Sequence, residues 1–123
     1  MKQSELASKS IDQLVDTFVS MALAQDYAEL SDDLAKYNRL YDEMDTVRQE
    51  LKSRAGDGRR ALLPLLNHRN AQVRLKAAIS TLALEPEASR EALQKLVDSN
   101  EFPQAARASG MLEALDEGRY VPS

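Results

Sequence analysis

A chain of 123 residues with no cysteine and a net charge of −4 can bury its own core, and it excludes disulfide frameworks, zinc–thiolate sites and thiol catalysis. Alanine and leucine are abundant, and with glutamate, glutamine and lysine they favour helix. No uncharged apolar run approaches the roughly 18 residues of a membrane span, and the start MKQSELASKS lacks the apolar block of a signal peptide, so a cytoplasmic location is expected.

Residues 1–9 are polar and are expected to fray. Ser10 and Gln13 then form a capping box, in which each side chain satisfies the other residue's backbone N–H. Ile11, Leu14, Val15, Phe18, Ala22 and Gln25 follow at helical spacing, with Val19 and Leu23 widening the stripe, and the helix is expected to reach Leu30. Ser31 is the next candidate cap, with Asp32 and Asp33 in the first turn, where the helix dipole favours negative charge. The helix it opens runs to Arg54 along the line Leu34, Tyr37, Tyr41, Met44, Arg48 and Leu51, a length of roughly 35 Å. Three heptads interrupted by Arg48 make a poor self-contained coiled coil. The two helices therefore read as an antiparallel hairpin over 10–55 rather than as a dimer seam.

Ala55-Gly56-Asp57-Gly58 is the clearest break. Gly56 suits a left-handed helix stop, and Asp57 or Gly58 suits a new start. The sequence is not a phosphate loop, because it lacks the longer glycine spacing and the Lys-Ser/Thr pair. The stretch from Ala61 to Leu84 is the one around which the other helices are organised. A short helix over Arg59–Asn67 carries Leu62, Leu63, Leu65 and Leu66, and Pro64 is expected to kink or tighten it. Asn70 caps a second helix over Ala71–Leu84. At about 100° per residue, Leu75, Ala78, Ile79 and Leu82 share one face while Val73, Ala77 and Leu84 lie nearly opposite, the pattern of a helix sandwiched between neighbours. Pro86 suits the first position of a fifth helix, which carries Ala88, Ala92, Leu93, Leu96 and Val97. Phe102-Pro103 opens a sixth, with Phe102 as a staple and Ala105, Ala106, Ala108, Met111, Leu112 and Leu115 as its face. Gly110 suggests a close helix approach, Gly118 a stop, and residues 119–123 a tail docked by Tyr120 and Val121.

The stretch LLPLL at 62–66, Val73-Arg74 and Ala77-Ala78 resemble a HEAT repeat, with His68 where that family has an Asp and with a later Leu displaced to Leu82. A shift of 30 residues places Leu63 on Leu93, Leu66 on Leu96, Asn70 on Asn100, Ala78 on Ala108 and Leu82 on Leu112. It also places His68 on Asp98, so a pair between Arg74 and Asp98 is expected. The whole chain resembles a small bacterial family of HEAT-like proteins labelled only as a domain of unknown function. The resemblance implies an all-α fold and no activity. The expected architecture is a single domain over 1–123, with about six helices: a hairpin over 10–55, HEAT-like units over 57–85 and 86–118, and a tail, forming a short α-solenoid.

No enzyme chemistry is legible. His68 is the single histidine and sits in a predicted turn with no nucleophile motif beside it. A helical di-iron site needs a Glu-x-x-His on each of two helices, which one histidine cannot supply. The pairs Asp32/Asp33 and Asp42/Glu43 read as surface charge. No catalytic residue, cofactor or metal site is assigned. Two classes remain. The first is a scaffold or adaptor that binds a protein partner, with Arg59, Arg60, His68, Arg69 and Asn70 as candidate contacts on turns and helix starts. The alternative is a nucleic-acid binder using the basic 54–76 region, where six cations face Asp57 alone. The overall negative charge and the absence of stacking aromatics there weigh against it.

Overall fold

The computed structural model describes residues 3–123, with the side chain of Gln3 omitted. It is all-helical, and no strand occurs among the described residues. The α-helices are α1 (Gln3–Ala7), α2 (Ile11–Leu30), α3 (Leu34–Ser53), α4 (Ala71–Thr81), α5 (Pro86–Asp98) and α6 (Gln104–Asp116), with a 3-10 helix over Gly58–Asn67. None among the described residues is long and apolar enough to cross a membrane. The chain divides into two compact units, residues 1–62 and 63–123.

In the first unit α2 packs along α3, and α1 packs on α3. The capping box forms as expected: Gln13 N–H donates to Ser10 Oγ at 3.1 Å and Ser10 N–H to Gln13 Oε1 at 2.9 Å. Leu14, Phe18, Met21, Ala22, Gln25 and Ala28 form the inward side of α2. The expectation that residues 1–9 fray is corrected over the described part, while Met1 and Lys2 lie outside it. The helix α1 forms and Leu6 is fully buried. Its last carbonyls are held by Arg54, whose Nη2 donates to Leu6 O at 3.1 Å and Lys9 O at 2.7 Å while its Nε donates to Glu50 at 2.8 Å. A cation placed there also suits the negative end of a helix.

The start of α3 lies two residues later than expected. Ser31 is the C-cap of α2, Asp32 takes a left-handed φ of 55°, and Asp33 N–H donates to Ala28 O at 2.9 Å. This is a Schellman closure, and it leaves Asp33 as the cap, accepting from Lys36 N–H at 3.1 Å. The inward line of α3 differs from the expected one: Leu40, Met44, Val47, Glu50 and Leu51 are buried, while Leu34 and Tyr41 are exposed. The helix stops before Gly56: Ser53 is its last residue, Arg54 is extended at φ −73° and ψ 151°, and Gly56, at φ 72°, lies in the turn that follows.

In the second unit α4, α5 and α6 share a core of Ala71, Leu75, Ala78, Leu82, Ala92, Leu93, Leu96 and Ala108, against which Leu66, Ile79, Met111, Leu112 and Leu115 pack. Asn70 caps α4 with Oδ1, accepting from Gln72 N–H at 2.9 Å and Val73 N–H at 3.1 Å. Val73 and Ala77, on the other side of α4, are also fully buried, so the helix is covered on two faces. Two buried polar pairs join the helices without orphaned groups. The Thr81 and Ser89 hydroxyls lie 2.8 Å apart, and Gln104 Nε2 donates to Gln72 Oε1 at 3.0 Å. Gly118, at φ 73°, closes α6 in a second Schellman motif, with Arg119 N–H donating to Ala114 O at 2.9 Å.

Several expectations about this unit are corrected. Gly110 is exposed, and a Cβ there would meet nothing within 4 Å, so no helix approaches it. Phe102 stands in solvent instead of stapling α6, and Ala88 and Ala106 lie outside the core. In the tail, Tyr120 N–H reaches Ala114 O at 3.2 Å, but Val121 is exposed.

Candidate functional site

Of the five residues expected to contact a partner, Arg59 and Arg60 lie in the first unit and His68, Arg69 and Asn70 in the second. Arg59 is only 3% exposed. The reason is the 3-10 geometry around Pro64. With about three residues per turn, positions i and i+3 eclipse, so Arg59 falls on the same side as buried Leu62. Its guanidinium is closed onto Asp57, with Nη2 to Oδ2 at 2.7 Å and Nε to Oδ1 at 3.0 Å. Asp57 Oδ1 also accepts from Arg59 N–H at 3.1 Å. The Arg59 side chain, through these hydrogen bonds, holds the Asp57 carboxyl below its ordinary range. Arg60, the next residue, is exposed.

In the second unit His68 and Arg69 line a hollow of about 320 Å³ together with Leu66, Asn67, Arg74, Ala92 and Lys95, and Asn70 follows them as the cap of α4. The His68 Nδ1 accepts from Asn70 N–H at 3.0 Å, so the side chain braces the turn. Asn70 Oδ1 is taken by the start of α4. Arg74 crosses the hollow's rim: Nη1 donates to His68 O and Arg69 O, each at 2.9 Å, and Nη2 donates to Glu101 Oε1 at 3.0 Å. The expected Arg74–Asp98 pair is therefore corrected to Arg74–Glu101, while Asp98 accepts from Gln94 at 3.2 Å. Lys95 pairs with Glu91 at 3.4 Å. Of the hollow's cations, Arg69 alone has no carboxylate partner among the described residues.

The cations of the 54–76 region are thus largely engaged. Arg54, Arg59 and Arg74 are held by carboxylates and carbonyls of the fold, and Arg60 and Arg69 are exposed. No group of three or more His, Asp or Glu able to hold a metal ion occurs among the described residues.

The sequence reading missed a different surface. Leu23 is 43% exposed, Tyr27 67% and Leu30 82%, all on one side of α2. The available signal was their angular position. At about 100° per residue they lie opposite Leu14, Phe18 and Gln25, so a stripe that included Leu23 was drawn too wide. Exposed apolar residues grouped in this way mark interaction surfaces more often than isolated ones do.

A family model described as "Domain of unknown function (DUF2019)" matches residues 12–116. The chain is also similar to the crystal structure of the protein RPA1889 from Rhodopseudomonas palustris CGA009, at 42% identity and a TM-score of 0.93, over 96% of this chain and 98% of that one. No curated protein matches it.

Proposed function

We propose, for a chain that belongs to the DUF2019 family, a non-catalytic role as a scaffold or adaptor that binds a protein partner through helix faces. The observation that carries this reading is the outward side of α2, where Leu23, Tyr27 and Leu30 are presented to solvent at successive turns of one helix. Large apolar side chains on a rigid helix supply contact area at little ordering cost, which is what a docking surface needs.

The reading includes two HEAT-like units over 57–85 and 86–118. Its support is local. A Pro-bearing 3-10 helix precedes the Asn70-capped α4, and α4, α5 and α6 pack about a common core. Arg74 ties the turn before α4 to Glu101 before α6, as a bond between successive repeats would. Repeats of this kind bind partners on exposed helix surfaces and carry no chemistry of their own. The nucleic-acid reading draws less support, because Arg54, Arg59 and Arg74 are committed within the fold.

The test is capture of the tagged chain from its native cell, identification of bound proteins by mass spectrometry, and reconstitution with the purified candidate. A stoichiometric complex that persists at raised salt supports the reading. A salt-sensitive shift with DNA or RNA and no protein complex overturns it.

A further inference from the structure

The exposed side of α2 is a graded seam. Asp12, Asp16, Val19, Leu23, Tyr27 and Leu30 recur at intervals of four and three residues, the spacing with which one helix meets another. Asp12 and Asp16 are exposed, Val19 is half-buried, and the three apolar residues after it are exposed. The seam is therefore acidic in its first turns and apolar in its last. The helix carries four carboxylates and no Lys, Arg or His of its own. Asp12 lies in the first turn, where the helix dipole favours it; Asp16, a turn further on, lies beyond that effect. On the neighbouring α3, Arg48 is already held by Asp45 at 2.8 Å.

This gradient decides among occupants. A second copy laid parallel would set Asp12 and Asp16 against the same carboxylates. Laid antiparallel, it would set them against Leu30 and Tyr27, desolvating charge with no partner. An anionic lipid surface would be repelled by the acidic end. A helix from another protein with cations toward one end of its seam and apolar residues toward the other meets both halves.

We propose that α2 docks a cationic amphipathic helix of a partner protein, with its apolar residues against Leu23, Tyr27 and Leu30 and its Lys or Arg against Asp12 and Asp16. This inference rests on the interaction-module reading and names the class of partner.

The test uses the full chain and three fluorescent synthetic helices of about five turns, or about 18 residues. Two carry leucines and lysines at seam positions, one in each direction; the third replaces lysine with glutamate. Fluorescence anisotropy is expected to show binding of one lysine peptide, with the glutamate peptide weaker by about tenfold or more. The pair Tyr27→Ser and Leu30→Ser is expected to weaken binding by about tenfold or more. The pair Asp12→Asn and Asp16→Asn is expected to weaken it and flatten its salt dependence. Thermal melts by circular dichroism check that these exposed substitutions leave the fold intact. The inference is overturned if neither lysine peptide binds, or if both variant pairs bind it as tightly as the parent. It is also overturned if sedimentation shows a dimer that Tyr27→Ser and Leu30→Ser dissolve. A captured native partner that ignores the seam variants would sink this assignment while leaving the interaction-module reading standing.

Discussion

Arg74 Nη2 lies 3.0 Å from Glu101 Oε1, and the same guanidinium donates through Nη1 to the carbonyls of His68 and Arg69. The two carbonyl bonds are local and close the turn before α4; the bond to Glu101 spans 27 residues.

These bonds differ in weight. Glu101 is about half exposed, so its ion pair is screened by solvent. Glu101→Gln is expected to change stability by less than about 0.5 kcal/mol. Arg74→Ala removes all three bonds at once and is expected to cost about 1–2 kcal/mol. Urea denaturation of the two variants checks the ordering; equal losses would assign the ion pair the larger share.

Two glycines make opposite predictions. A Cβ on Gly58 would lie 2.7 Å from the Leu51 carbonyl oxygen and 3.2 Å from the Arg54 Cβ. Since the first obstacle is backbone, Gly58→Ala is expected to destabilise by about 1–3 kcal/mol. Gly110 is helical with open space around it, so Gly110→Ala is expected to stabilise by about 0.5–1 kcal/mol. Paired thermal melts should move the midpoint in opposite directions.

Asp57 gives a pH dependence. Its carboxyl is depressed below the ordinary 3.8, first by the Arg59 side-chain hydrogen bonds. A carboxylate whose folded pKa is lowered binds fewer protons folded than unfolded. Its contribution is therefore complete above the unfolded value and is lost as pH falls through the folded one. Asp57→Asn is expected to lower stability at neutral pH and to flatten the loss on acidification below about pH 4. Denaturant midpoints measured from neutral to acid pH for parent and variant test it; parallel curves would contradict it.

The first helix depends on one guanidinium and one buried leucine. Leu6→Ala is expected to cost about 2–5 kcal/mol, the range for deleting a fully buried leucine side chain. Arg54→Met keeps the aliphatic stem but frees the Leu6 and Lys9 carbonyls. It is expected to speed amide hydrogen exchange in residues 3–9 more than in the middle of α2. Equal acceleration in both would show that α1 is not separately held.

The helices were legible because their caps and periods agree. Ser10–Gln13, Asn70, Pro86 and Gly118 each end or begin an element where local chemistry says they do. The candidate site was less legible, because outward presentation depends on geometry finer than residue type. Arg59 turned inward because the segment around Pro64 winds at three residues per turn. Arg74 found Glu101 where spacing alone pointed to Asp98. Two acids near the start of α3 also left its cap ambiguous between Ser31 and Asp33. His68, expected in a turn with no nucleophile motif beside it, accepts from Asn70 N–H there.

The Schellman closure at Gly118 has a practical consequence for anyone attaching a reporter. Past that glycine the backbone has already left α6, and Val121 faces water. A fluorophore or affinity handle placed on residues 121–123 therefore perturbs no helix bond, whereas one fused near Leu6 would press on a leucine that has no solvent-facing surface to yield.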